Sequence, residues 1–147
     1  MEWKIQKFEE LTADEVYDIL KLRCEVFVVE QHCYYQDVDM RDQHAYHLTA
    51  WDGGCIAAYL RILEKGVSYP EVSIGRVLTA PGYRKRGVGR ELMKRAMDFI
   101  AGEMGETEVR ISAQAYLKGF YESFGFRQTS GIYPDAGIDH MEMLYRK

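Results

Sequence analysis

The sequence predicts one domain of mixed α/β class (α+β in the broader sense), in which helices flank a mixed sheet. Its 147 residues suit a single hydrophobic core, and we expect the domain to span 1–147. Segments with strand and helix periodicity follow one another as strand, helix, three strands, helix, strand, helix and two strands. The strand-helix-strand unit at 72–113 predicts a parallel crossover.

The first third of the chain predicts a strand, a helix and a long loop. Trp3–Phe8 alternates between apolar and polar residues and indicates the strand. Thr12 and Glu15 match a capping box, and apolar residues then recur at helical spacing over Ala13–Val28. Glu30–Gln43 is polar, aromatic and acidic without clear periodicity, which favours a functional loop in so small a domain.

The middle of the chain predicts three strands and a helix. His44–Trp51 and Cys55–Leu63 flank the hairpin signal Asp52-Gly53-Gly54. Val72–Thr79 is a further β-rich run, and Gly87–Met104 has the apolar stripe of an amphipathic helix.

The C-terminal third predicts a strand, a short helix and two final strands. The first strand is Glu108–Ala113, and the helix Leu117–Phe124 is stopped by Gly125. The final strands are Phe126–Tyr133 and His140–Tyr145.

Charge is unevenly distributed along the chain. The net charge is −4, yet residues 84–95 carry six basic side chains and one acidic side chain. A local basic patch on an acidic protein favours a small phosphorylated ligand over nucleic acid. The odd number of cysteines without a CxxC pair predicts neither a disulfide framework nor a metal site. The absence of a signal-peptide run or a membrane-length apolar run predicts a soluble, cytoplasmic protein without membrane partners.

The basic patch begins with the run Arg84-Lys85-Arg86-Gly87-Val88-Gly89, between a predicted strand and a predicted helix. Glycines let the backbone approach a ligand, and the first turn of a helix offers unpaired N–H groups and a positive dipole end. These features predict a phosphate site that is neither a Walker loop nor a dinucleotide fingerprint. The alternative is a solvated basic helix start with glycines for tight packing.

Two motifs over residues 77–126 resemble the GNAT (Gcn5-related N-acetyltransferase) superfamily. The first consists of Arg84, Gly87 and Gly89, and the second is the run Phe120–Phe126 around Tyr121. The N-terminal half, above all Leu22–Gln31, is similar to the ElaA-like branch, so the resemblance covers almost the whole chain. It implies a GNAT-like, mostly antiparallel sheet of about six to seven strands with a splayed central strand pair.

The resemblance also implies the reaction and its donor. The expected activity is that of an acetyl-CoA-dependent N-acetyltransferase, in which an amine of a small molecule or protein attacks the thioester directly in a ternary complex. Tyr121 matches the family's general acid, which protonates the departing thiolate. The residues expected to bind coenzyme A are Val77, Leu78, Thr79, Arg84, Lys85, Arg86, Gly87, Val88, Gly89, Arg90, Gln114 and Phe120.

The base that deprotonates the amine stays open at this point. The position of the family's base glutamate falls on Ser73, which cannot serve. Glu30, His47 and Glu71 are the candidates, and a water chain is the alternative.

The loop after the first helix is the expected acceptor side, because an acidic rim would attract a cationic amine. The alternative is a solvated loop, with Arg23 paired to one of its carboxylates. The residues expected to bind the acceptor are Arg23, Gln31, Tyr35, Asp37 and Asp39.

Other functions compete with amine acetylation. A non-catalytic acyl-CoA sensor would keep the run Arg84–Gly89 and lose the chemistry. Acyl-homoserine-lactone synthesis is a further alternative, and exposed tyrosines would be compatible with a homodimer. The sequence does not distinguish among polyamine, amino acid, aminoglycoside and peptide acceptors.

Overall fold

The computed structural model describes residues 1–147 and contains eight strands and three α-helices. The strands are β1 Glu2–Lys7, β2 Ala45–Asp52, β3 Cys55–Leu63, β4 Val72–Thr79, β5 Glu108–Gln114, β6 Phe126–Gln128, β7 Tyr133–Asp135 and β8 Ile138–Arg146. The α-helices are α1 Ala13–Arg23, α2 Val88–Gly102 and α3 Lys118–Glu122. Short 3₁₀ turns lie at Phe8–Glu10, Asp42–His44 and Ala115–Leu117.

The first helix begins and ends much as its sequence predicts. The Thr12 side chain accepts from the Glu15 N–H while the Glu15 carboxylate accepts from the Thr12 N–H, which is the predicted capping box. Beyond α1 the helix continues as a π-helical segment, Cys24–Glu30, and Val26 and Phe27 there are buried. Such π segments are rare and often occur at functional sites.

All strands form one sheet in the order β1-β2-β3-β4-β5-β8-β6, with β7 paired to β8. Every pair is antiparallel except β4 and β5, so the predicted mixed, mostly antiparallel sheet is confirmed. The sheet has one strand more than predicted, because the expected Phe126–Tyr133 strand stops at Gln128 and a separate strand begins at Tyr133. Ala136 and Gly137, both with positive φ, then turn β7 back onto β8 as a tight hairpin.

Hydrophobic cores cover both faces of the sheet. Leu60 and Ile62 of β3 belong to the core formed with α2, while Tyr59 belongs to the core formed with α1 and the π segment. We call these sides the α2 face and the α1 face. Since side chains alternate along a strand, burial on both faces explains why β3 is apolar almost throughout.

The central strands β4 and β5 splay apart. They pair only at Val72 with Val109 and at Ser73 with Arg110. Further along β4, Arg76 and Val77 together oppose a single β3 residue, which is a β-bulge, and Arg76 has a φ of 54°. A bulge bends its strand and increases the local twist, so β4 turns away from β5 and leaves a gap, as expected.

No helix combines the length and the apolar character needed to cross a bilayer.

Candidate active site

The gap between β4 and β5 opens into a cleft of about 770 Å³. This volume lies in the range of small-molecule and cofactor sites. Leu117, Phe120 and Tyr121 line it near α3, whereas Gln31 and Tyr35 line it from the loop beyond the π segment. The cleft therefore reaches both faces of the sheet through the gap.

Strand β5 forms one wall of the gap and presents different chemistry to each face. Ile111 belongs to the core on the α2 face. Ser112 and Gln114 line the cleft, and Gln114 donates to the Gln31 side-chain oxygen at 3.1 Å, across the open end of the gap. Because side chains alternate along β5, its apolar residues face the α2 side and its polar residues face the α1 side. We call the polar part of the cleft on the α1 face, which Ser112 and Gln114 border, the chamber.

The predicted phosphate loop lies at one mouth of the cleft. Gly87 adopts a left-handed conformation, with φ of 76°, and no side chain caps the helix that begins at Val88. A Cβ on Gly89 would lie 3.4 Å from the Thr79 hydroxyl, so α2 starts close against the end of β4. The first-turn N–H groups, which have no partner within a helix, are therefore available to an anion.

Arg84 lies at the same mouth and is paired with Glu30 of the π segment. Its guanidinium makes a two-pronged contact with the Glu30 carboxylate, with Nη1 2.9 Å from Oε2, and its Nε donates to the Thr79 carbonyl at 3.1 Å. The hydrogen bond from Arg84 lowers the pKa of Glu30. As long as this pair persists, Glu30 is a poor base.

The other basic residues of the loop are placed differently. Arg90 lies over the rings of Phe120 and Phe124 and donates to the Ser123 hydroxyl, so it joins the start of α2 to α3. Arg86 lies over the Tyr83 ring. Lys85 is exposed beside the loop, with φ of 64°, and the Val88 side chain packs into the core.

Tyr121 lies on α3, and aromatic side chains of α3 and β6 pack edge-on against its ring. The ring centroids of Phe120 and Phe126 lie 5.2 and 6.0 Å away, and only 5% of Tyr121 is exposed. Burial raises the pKa of the Tyr121 phenol, because the phenolate would lose solvation. Tyr121 lines the cleft and its hydroxyl has no protein partner, so the O–H is free to donate to a ligand.

His47 does not lie on the cleft, which contradicts its prediction as a base. Only 2% of this residue is exposed, Nδ1 lies 2.7 Å from the Tyr59 hydroxyl, and Nε2 lies 2.9 Å from the Asp42 carbonyl oxygen. Burial lowers the pKa of the His47 imidazole. Both ring nitrogens are occupied on the buried strand β2, so the residue is structural.

Glu71 is also removed from the cleft wall, so the structure does not place this predicted base next to the cleft. Arg110 Nε and Nη2 each donate to its carboxylate at 2.9 Å. The hydrogen bond from Arg110 lowers the pKa of Glu71. The pair lies beside the closed end of the gap, where β4 and β5 still hydrogen-bond.

The acidic loop does not form a negative rim, because three arginines neutralise its three central carboxylates. Arg23 Nε and Nη1 contact Asp37 at 2.9 Å and Asp42 at 2.7 Å, and no part of the Arg23 side chain is exposed. Arg61 binds Asp39 and Asp42, and Arg76 binds Asp37 and Asp39.

These ion pairs give the loop a structural role in place of the predicted acidic rim. We call them the arginine–aspartate cluster, which consists of Arg23, Asp37, Asp39, Asp42, Arg61 and Arg76. Burial alone would raise the pKa of Asp39, but the hydrogen bonds and charge of Arg61 hold it well below its usual range. Arg23, Asp37 and Asp39 do not line the cleft, so the structure does not support the prediction that they contact the acceptor. They anchor the loop instead. Gln31 and Tyr35 do line the cleft, and the Tyr35 hydroxyl donates to Asp37 at 3.0 Å.

Several cleft residues escape local sequence reasoning. Tyr69, Ser112, Tyr133, Asp135 and His140 all line the chamber on the α1 face. Polar residues alternate with methionines along the last strand, and this pattern could have predicted that its polar side chains share one face. The insertion of β8 between β5 and β6 brings the hairpin to the cleft, and this pairing leaves no local signal.

The family of the chain follows from a match to a protein-family model. The model described as an acetyltransferase (GNAT) domain matches residues 9–147. The chain belongs to the GNAT acetyltransferase family.

Relatives place this GNAT chain in the ElaA-like branch. Protein ElaA of Escherichia coli is 37% identical over 145 residues, covering 97% of this chain and 95% of that protein. A UPF0039 protein of Synechocystis is 38% identical over 145 residues, covering 98% and 94%.

Solved structures show the same GNAT fold. A crystal structure of an acyl-CoA N-acyltransferase from Pseudomonas aeruginosa has a TM-score of 0.92 at 38% identity, with 99% of each chain covered. That of E. coli ElaA has a TM-score of 0.93 at 36% identity, again with 99% of each chain covered.

Proposed function

We propose that this chain transfers an acetyl group from acetyl-CoA to an amine by direct attack within a ternary complex. The observation that carries the proposal is the cleft through the sheet. It has an uncapped helix start at one mouth, a buried tyrosine in its wall and a polar chamber beyond the gap. Membership of the GNAT family and the similarity to an acyl-CoA N-acyltransferase support the same donor.

The donor would enter from the phosphate loop. The N–H groups of residues 87–90, together with the guanidinium of Arg84 and the charges of Lys85 and Arg86, would bind the pyrophosphate. The pantetheine would lie in the gap, where Val77, Leu78 and Thr79 have no strand partner on the β5 side. Their free backbone groups can pair with its amides as a β-strand would. Phe120 and Gln114 would border the thioester end.

The chemistry needs little beyond proximity and proton transfer. The amine attacks the thioester carbonyl, and a backbone N–H of β4 can stabilise the oxyanion that forms. The C–S bond then breaks, and Tyr121 donates its proton to the departing sulfur. The acceptor would enter the chamber bordered by Gln31 and Tyr35.

A thiol-release assay tests this function. The chain is incubated with acetyl-CoA and a panel of polyamines, amino acids, aminoglycosides and peptides, and free coenzyme A and the acetylated amine are both quantified. With at least one amine class, we expect one molecule of free coenzyme A for each molecule of acetylated amine. Tight acetyl-CoA binding without release for any acceptor would instead support a non-catalytic acyl-CoA sensor.

Glu30 gives a second prediction, because its carboxylate is paired with the Arg84 guanidinium to which the pyrophosphate would bind. In the Glu30→Gln variant Arg84 is freed, and acetyl-CoA should bind about two- to fivefold more tightly, a small gain that suits a half-exposed ion pair. Calorimetric titration at low and high salt measures the gain, which salt should reduce. Glu103→Gln, an exposed change of the same charge at the far end of α2, is the control. Weaker binding by the Glu30 variant would show that this carboxylate supports the cofactor.

A further inference from the structure

His140 lies on the chamber side of the sheet. Its strand neighbours Met141 and Met143 are buried in the core on the α2 face. Since side chains alternate, His140 points to the α1 face, where it lines the cleft opposite Gln114 of β5. This is the side on which the amine would meet the thioester.

The His140 ring is held in one orientation. Its Nδ1 lies 2.7 Å from the carbonyl oxygen of Ile138, and a carbonyl only accepts, so Nδ1 carries a proton. The ring stacks on Tyr133 at a centroid distance of 6.3 Å, and the Tyr133 hydroxyl is hydrogen-bonded to Ser112 of β5. In the neutral ring Nε2 therefore keeps a lone pair, and no protein group bonds to it.

The other possible bases on the cleft are less suited. Glu30 lies beside Arg84 of the phosphate loop, at the mouth where the pyrophosphate, rather than the thioester, would bind. Burial raises the pKa of the Cys33 thiol, and the charge of Asp135 adds to this effect. Asp135 is exposed near the tip of the β7–β8 hairpin. His140 alone combines a free lone pair with a fixed orientation inside the chamber.

We propose that His140 is the general base that deprotonates the acceptor ammonium, an inference that rests on the proposed function. Nε2 takes one proton from the ammonium, and the freed nitrogen lone pair forms the C–N bond. When the C–S bond breaks, its electron pair leaves on sulfur, which takes the Tyr121 proton. The extra proton on the new amide nitrogen passes through solvent to the tyrosinate, and His140 returns its proton to solvent.

Several titratable groups surround this imidazole. Tyr133 stacks on it from β7, Asp135 lies on the same hairpin, and Tyr69 shares the chamber wall. Glu142, two residues along β8, lies 3.4 Å from Arg110 of β5, an arginine that it shares with Glu71. Asp135 makes no ion pair and adds a negative charge to the chamber wall.

The test compares His140→Asn with His44→Gln. The asparagine amide can still donate to the Ile138 carbonyl but cannot take a proton, while His44 is exposed on the 3₁₀ turn away from the cleft. For the best amine, we expect kcat of His140→Asn to fall about 10²-fold near pH 7. The deficit should shrink towards pH 10, where amines lose their own proton. Acetyl-CoA affinity should stay within twofold, and His44→Gln should match the unmodified chain.

Added imidazole supplies an independent readout. In His140→Ala, added imidazole should restore part of kcat, in proportion to the concentration of unprotonated imidazole. A kcat for His140→Asn within threefold at every pH would overturn the role of His140 while leaving acetyl transfer intact. No transfer by the unmodified chain to any amine would overturn the proposed function and this role together.

Discussion

Replacement of Tyr121 by phenylalanine is expected to lower kcat by about 10²- to 10⁴-fold while acetyl-CoA affinity stays within twofold. The substitution removes only the hydroxyl, which has no protein partner, so packing against Phe120 and Phe126 is kept. Steady-state kinetics with the best amine and calorimetric titration with acetyl-CoA separate the two effects. Tyr17→Phe, an exposed tyrosine on α1, is the matched control.

The pH dependence sharpens the Tyr121 prediction. Burial raises the pKa of this phenol, so the donating O–H form persists as the pH rises past the ordinary range of tyrosine. We expect no alkaline loss of kcat from this group below pH 10. An unchanged kcat in Tyr121→Phe across the pH range would remove the tyrosine from the mechanism.

Replacement of Arg23 by methionine is expected to lower the free energy of unfolding by about 3–5 kcal/mol. Arg23 is wholly buried and binds both Asp37 and Asp42, so its loss leaves carboxylates buried with less compensating charge. Urea denaturation at pH 7 measures the change, and Arg127→Met, at an exposed site on β6, controls for loss of a surface charge. A loss below 1 kcal/mol would show that the remaining arginines suffice.

The same cluster predicts how stability depends on pH. The pKa values of Asp39 and Asp42 are held below their unfolded values by Arg61 and Arg23, despite opposing burial. Their contribution is therefore fully present above the unfolded pKa of about 4 and is lost as the pH falls through the folded values. In Arg23→Met the folded pKa of Asp42 should rise towards its unfolded value, because Asp42 keeps only Arg61. The acid-dependent loss of stability should therefore be smaller and should be complete at a higher pH.

Local patterns in the sequence were sufficient for most elements. The capping box at Thr12 and Glu15 and the apolar stripe of α2 depend on neighbours a few residues apart, and both are confirmed. The run Arg84–Gly89 also lies between a strand and a helix, as predicted, since a strand-to-helix junction is a local feature.

Long-range pairing explains what the sequence could not predict. Glu71, a predicted base candidate, is bound by Arg110, which is 39 positions away, and no local pattern indicates that ion pair. The acidic loop appeared negative because its arginine partners come from α1, β3 and β4. His140 reaches the chamber only because β8 pairs with β5.

A crystal structure with bound acetyl-CoA is the most direct test of the central claim that the splayed strands hold an acyl donor. We expect the pyrophosphate against residues 84–90, with Arg84 released from Glu30 and the pantetheine paired to the free edge of β4. The thioester sulfur should lie within hydrogen-bonding distance of the Tyr121 hydroxyl. A cofactor bound outside the gap, or a gap closed by β4 and β5 pairing beyond Ser73, would contradict this account.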